Sequence, residues 1–146
     1  MSIYNQGSPG LGNAASYQVS GKPFATGSLH APVVSGTPVR VEFPSVTRWV
    51  KVLPVSGSGN NLAFLRVGFS EVGVKNENYF RLLVGGASEM GDQRVLDPDP
   101  LELKVTELYF LSDDNIATID FDVVAGLTGI DKRNITNNWS GSSGVG

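Results

Sequence analysis

The amino-acid sequence predicts an all-β protein, an antiparallel β-sandwich with extended N- and C-terminal arms. Three observations carry that expectation. Apolar residues recur at every second position in run after run, the period of a half-buried strand. No stretch of a dozen residues keeps the 3.6-residue period of an amphipathic helix. The runs are cut by Gly, Pro, Ser and Asn clusters into roughly seven to nine short strands, which suits two packed sheets. A jelly roll is the leading topology and an immunoglobulin-like sandwich the alternative, and the pattern alone does not separate them. No repeat of fixed period points to a propeller or solenoid.

In chain order, residues 1–36 read as an N-terminal arm rich in Gly and Pro, with Ile3, Tyr4, Leu11 and Tyr17 among its apolar anchors. Short strands are expected at SYQVSG and at FATGSLH, the second ending at His30. Residues 37–130 form the sandwich domain. Val39, Val41 and Phe43 alternate with Arg40 and Glu42 until Pro44-Ser45 ends the run. From Thr47 to Leu53 both faces are mixed, so the inward set could be Val50 and Val52 or Trp49 and Leu53. SGSGNN (56–61) reads as a hairpin loop leading to a central strand, Leu62 to Phe69, apolar on both faces. Val72-Gly73-Val74 leads into the polar KNEN, and Phe80, Leu82 and Val84 alternate with Tyr79, Arg81 and Leu83. Two Asp-Pro pairs then enforce turns. A run from Leu101 continues to Leu111, and SDDN (112–115) is expected to turn it back as a hairpin onto Ile116–Val124, with Ala117, Ile119, Phe121 and Val123 inward. Residues 131–146 read as a C-terminal tail whose one large apolar residue is Trp139.

Composition bounds the function. A chain of 146 residues suits one domain with a real core. Charged residues make up 17%, against roughly 25% in soluble domains, so the surface is neutral and polar or partly covered by other chains. With a net charge of −3 and scattered Lys and Arg, no nucleic-acid partner is expected. The absence of cysteine leaves stability to packing or oligomerisation. The N-terminal stretch lacks the basic and apolar regions of a signal peptide, and no window approaches the roughly 18 apolar residues of a membrane span, so neither export by that route nor a membrane partner is expected.

No motif names a reaction. His30 is the single histidine, which argues against a multi-histidine metal site and makes a catalytic triad depend on one residue of the arm. Asp97, Asp99, Asp113, Asp114, Asp120 and Asp122 could offer oxygens to calcium, but none shows the spacing of a dedicated loop, and turn or solvated-strand aspartate is the ordinary reading. Gly10 to Ala15 matches a dinucleotide fingerprint in letters, without the preceding strand that motif needs. The sequons at Asn134 and Asn138 read as polar tail. Neither catalytic residue, metal nor cofactor is therefore expected. Trp49 could be core or a sugar-stacking platform, with core packing favoured. Ile3, Tyr4, Leu11, Tyr17 and Trp139 read as interface anchors, because large apolar residues in breaker-rich arms make sense when something buries them.

The succession EFPSVTRWVKV, LRVGFSEVGV, NYFRLLVGG, LELKVTELYFLS and VVAGLTGI, spanning residues 39 to 130, resembles small virion proteins of tailed bacteriophages, in particular capsid cement or decoration proteins built on a jelly roll. The resemblance implies a virion structural protein on the outer capsid surface, a homotrimer at three-fold positions that bridges neighbouring major capsid subunits. It carries no site residues. A carbohydrate- or receptor-binding module of a head fibre or tail is the alternative.

Overall fold

The computed structural model describes residues 21–57, 63–84 and 98–134. Alternating apolar positions gather there into β1 (Lys22–Ala31), β2 (Val39–Glu42), β3 (Thr47–Gly57), β4 (Ala63–Gly68), β5 (Tyr79–Val84), β6 (Glu107–Ser112) and β7 (Ile119–Leu127), with a short helix α1 (Glu71–Lys75) and a 3-10 turn at Lys132–Asn134. The strands form two antiparallel sheets. Sheet A runs β1-β7-β3 and sheet B runs β2-β6-β4-β5. Two such sheets packed on their apolar faces make the all-β sandwich that the alternation predicts.

The core lies between them. Val50 and Val52 of β3, Ile119, Phe121 and Val123 of β7, Leu65 and Val67 of β4, and Leu108 and Phe110 of β6 are all buried. Phe110 from sheet B and Phe121 from sheet A meet with ring centroids 4.5 Å apart, tying the two layers at their middle. The inward set of β3 is thus Val50 and Val52, and Trp49 turns to the outer face of sheet A instead of packing in the core. Its register partner on β7 is Gly126, which has no side chain.

Several expectations are corrected. Residues 22–31 are not part of an arm: β1 is a full strand of sheet A, registered on β7 from Lys22 opposite Leu127 to Ala31 opposite Ile119. Neither expected hairpin forms. β3 and β4 belong to different sheets, as do β6 and β7, so the chain crosses the sandwich at both turns. At the second crossing the Ser112 hydroxyl donates to the Ala117 carbonyl at 2.7 Å, and the Asp114 carboxylate accepts the N–H groups of Ile116 and Ala117. Those bonds shape a compact corner where a two-stranded ladder would have continued. β4 is interior to sheet B as expected, but it is not buried on both faces, because Phe64 is exposed on the outside. Ser70 accepts the Gly73 N–H at 2.9 Å and so caps α1, where no helix was expected. Gly68 makes room for that helix, since a Cβ there would fall 2.8 Å from the Val74 Cβ.

The run from Leu101 to Leu111 is divided between the sheets. Residues 101–105 flank the free edge of β3, where Val50 and Leu101 exchange both backbone hydrogen bonds at 2.8 and 2.7 Å, and the chain then passes to sheet B as β6. The Thr47 hydroxyl holds this segment by donating to the Leu103 carbonyl at 2.5 Å and accepting the Val105 N–H at 3.0 Å. Thr47 is completely buried, so Thr47→Val leaves a backbone donor and acceptor without their side-chain partner. The expected cost is about 1–3 kcal/mol. It should appear as faster amide hydrogen exchange at residues 101–106, and unchanged exchange there would contradict the role.

In sheet A, β1 carries a bulge in which Gly27 and Ser28 face the single residue Asp122. Ser28 adopts φ 58°, a left-handed conformation uncommon for a residue with a Cβ. The Asp122 carboxylate accepts the Ser28 N–H at 2.9 Å, satisfying a donor that the bulge removes from the ladder.

Candidate functional site

The outward side chains of β4 and β5 make the most organised polar cluster among the described residues. Register places Arg66 of β4 directly across from Arg81 of β5. Like charges in that position repel, so the pair requires an anion. Asp113, just past β6, supplies it: Arg66 Nε donates to Oδ1 at 2.5 Å and Arg81 Nη1 donates to Oδ2 at 3.1 Å. Arg66 also donates to the Val74 carbonyl at 3.4 Å, linking the cluster to α1. Each guanidinium lies over a ring, Arg66 over Tyr79 at 4.3 Å and Arg81 over Phe64 at 4.9 Å. The side chains of Arg66 and Asp113 are only 12% and 17% exposed, whereas that of Arg81 is 51% exposed. Two cations therefore share one carboxylate, and the second cation faces outward.

Farther along the same face the charges are balanced. Arg40 Nε donates to Glu107 at 2.5 Å, and Lys132 donates to Glu42 at 2.5 Å. The Lys132 hydrogen bond, reinforced by the Arg40 charge, holds the Glu42 carboxyl below its ordinary range. Tyr109, opposite Arg40, has its phenol pushed up chiefly by burial and then by the Glu107 charge.

The outer face of sheet A is different in character. His30 stands opposite Asp120 with Nδ1 against that carboxylate, both side chains exposed on an open sheet surface. Trp49, Leu53 and Val124 are half-buried there beside Lys51. The aspartates weighed as calcium ligands have other partners in this fold: Asp113 meets the two arginines, Asp114 two backbone amides, Asp120 His30 and Asp122 the bulge. Asp99 is exposed in irregular chain. Among the described residues no three His, Cys, Asp or Glu side chains gather where a metal ion could be held.

Ile3, Tyr4, Leu11, Tyr17 and Trp139 lie outside the described residues, as do Asp97, the segment Gly10 to Ala15 and the sequon at Asn138. Arg66, Arg81 and Asp113 were not singled out together by the sequence reading. The signal was present in FLRV and FRLL, two apolar strands each interrupted by one arginine at the same point of the alternation.

Acid behaviour follows from the carboxylates that accept hydrogen bonds. Asp131 is held down at about 2 by the Arg133 side chain first and the Arg133 N–H second. Asp114 is lowered by the N–H groups of Ala117 and Ile116. Both folded-state values lie below the unfolded ones, so their contribution to stability is complete above the ordinary value of 3.8 and is lost as pH falls through the folded values. A carboxyl-detected NMR titration should show Asp131 titrating near pH 2, and a midpoint near 3.8 would refute the Arg133 contact.

Comparison with protein-family models, characterised proteins and solved structures returns no match to this chain.

Proposed function

We propose that this chain is a virion structural protein that decorates a phage capsid and cements it by bridging neighbouring major capsid subunits, acting as a trimer. The observation that carries the reading is the order of strands. With residues 101–105 counted as the outer member of sheet A, the sheets run β1-β7-β3-(101–105) and β2-β6-β4-β5. Successive segments cross between sheets at every step except β4 to β5, which supports reading the fold as a jelly roll, an architecture used by viral capsid proteins, lectins and cupins. A catalytic cupin needs several histidines and this chain has one. The strand phrases that resemble capsid decoration proteins favour the first of those uses. Cementing suits a body with few charges and flanking segments, because modest contacts to several subunits multiply through multivalency.

Electron cryomicroscopy of intact particles tests the proposal. Copies in threes on the outer capsid surface are expected, and a shell without this chain would end the reading. Deleting residues 1–20 should lower capsid occupancy and the temperature at which particles rupture. Unchanged values would remove the arm from the argument.

One observation favours a second reading, a carbohydrate-binding module. Trp49 stands on the outer face of sheet A opposite Gly126 and is only partly buried, so part of its ring is open to a sugar face. A glycan array positive for the protein and negative for Trp49→Ala would favour it over cementing.

A further inference from the structure

β5 is the last strand of sheet B and, among the described residues, is hydrogen-bonded to β4 alone. A strand paired on one side offers its remaining N–H and C=O groups to any strand arriving on the other. Edges are commonly guarded by lysine, proline or a bulge. The sequence YFRLLV of β5 has no lysine, proline or bulge, its one charge is Arg81, tied to Asp113 on the outer face, and it keeps an unbroken register with β4 from Tyr79 to Val84. Apolar area flanks the open edge on both faces. Phe80 and Leu82 pack on the core yet stay only partly buried, and on the outer face Phe64 and Leu83, opposite one another, are each 38% exposed. An added strand would cover both sets.

Charge selects which strand. Both Asp113 oxygens already accept from guanidiniums, so Arg66, Arg81 and Asp113 together leave one positive charge unbalanced, in a chain whose net charge is −3. That charge sits on Arg81, half-exposed but held in place by Asp113 and by the Phe64 ring. A preset arginine beside exposed aromatic surface is the composition of an interface anchor. A second copy is a poor occupant. Two β5 strands pairing about a two-fold axis would bring Arg81 against or beside the Arg81 of the other copy, and like charges across a ladder are destabilising.

We propose that the open edge of β5 is a docking strand for an extended segment of another protein, apolar in alternation and carrying a carboxylate that pairs with Arg81. The segment adds to sheet B as a fifth strand. Main-chain bonds supply the pairing, Phe64, Leu83, Phe80 and Leu82 supply buried area, and Arg81 sets register and choice of partner. This goes beyond the decoration reading and does not depend on it.

The test uses the full chain, isotopically labelled, and a blocked peptide TVTVEVTVT. Amide shifts confined to β5 and β4 are expected on titration, with binding weakened about tenfold or more when the central Glu is Lys, the loss of one charge-assisted bond. Arg81→Glu should invert that preference. Because it also gives up the Asp113 hydrogen bond and the Phe64 ring contact, its unfolding midpoint is expected to fall, and the Glu and Lys peptides are compared at a temperature where the variant is folded. A Glu peptide N-methylated on alternate residues should fail to bind. The proposal is overturned by an absence of shifts in β5 at millimolar peptide, by equal binding of the Glu, Lys and N-methylated peptides, or by shifts mapping elsewhere. It is also overturned by concentration-dependent protection of β5 without peptide, which would assign the edge to a second copy. None of these results bears on where the chain sits in a particle, so the two proposals stand or fall separately.

Discussion

Replacing Phe121 with alanine is expected to destabilise the protein by about 3–5 kcal/mol, the usual result of emptying a fully buried aromatic site. Phe121 is completely buried on β7, the middle strand of sheet A, and its ring touches Phe110 on β6 of the opposite sheet. Truncation removes the ring's own transfer energy and leaves Phe110 facing a void that two hydrogen-bonded sheets cannot collapse to fill. Against a typical domain stability of roughly 5–15 kcal/mol, that is enough to populate the unfolded chain at moderate temperature. Urea unfolding followed by circular dichroism should show the midpoint falling at unchanged slope. Phe121→Leu should keep most of the loss back. A cost below about 1 kcal/mol for alanine would mean that the sheets close up freely, contrary to the packing described.

Asp113→Asn should cost about 2 kcal/mol, between the roughly 0–1 kcal/mol of an exposed ion pair and the 3–5 kcal/mol of breaking a fully buried one. The position between those limits follows from exposure: Arg66 and Asp113 are nearly covered and Arg81 is not. What is lost is more than an attraction. Without the carboxylate, Arg66 and Arg81 face one another across β4 and β5 as uncompensated like charges. The double variant Asp113→Asn with Arg66→Gln should therefore cost less than the two single changes added together, and the same double-mutant cycle with Arg40, outside the cluster, should be additive. Additivity at Arg66 as well would deny the network.

The alternation of side chains made the inner faces legible before any coordinates. Val41 and Phe43, Phe80, Leu82 and Val84, and Ile119, Phe121 and Val123 all turn toward the core as their spacing requires. Partnering was not legible, because a period of two says which side of a strand is buried and nothing about its neighbour. Hence SGSGNN and SDDN suggested hairpins where the chain in fact changes sheets. The five residues of α1 are too few to display a helical period, although Ser70 ahead of Glu71 is the kind of cap that starts one. Thr47 could not be told from any strand threonine until residues 101–105 were seen to hang on its hydroxyl. The arginine cluster was hidden for the same reason as the pairing: Arg66 and Arg81 become a pair only through register.

The pairing of β1 with β7 has a consequence in time. His30 finds its partner Asp120 90 positions further along, and β1 is laddered, among the described residues, only to β7, the last described strand to be made. Sheet A therefore stays open on the ribosome until residues 119–127 have emerged. Such long-range closure belongs to the slow class of folding reactions, milliseconds to about seconds, because loop entropy is lost before the contacts repay it. Sheet B is released earlier, since its β6 precedes β7. The two layers should thus acquire protection in sequence, sheet B before sheet A.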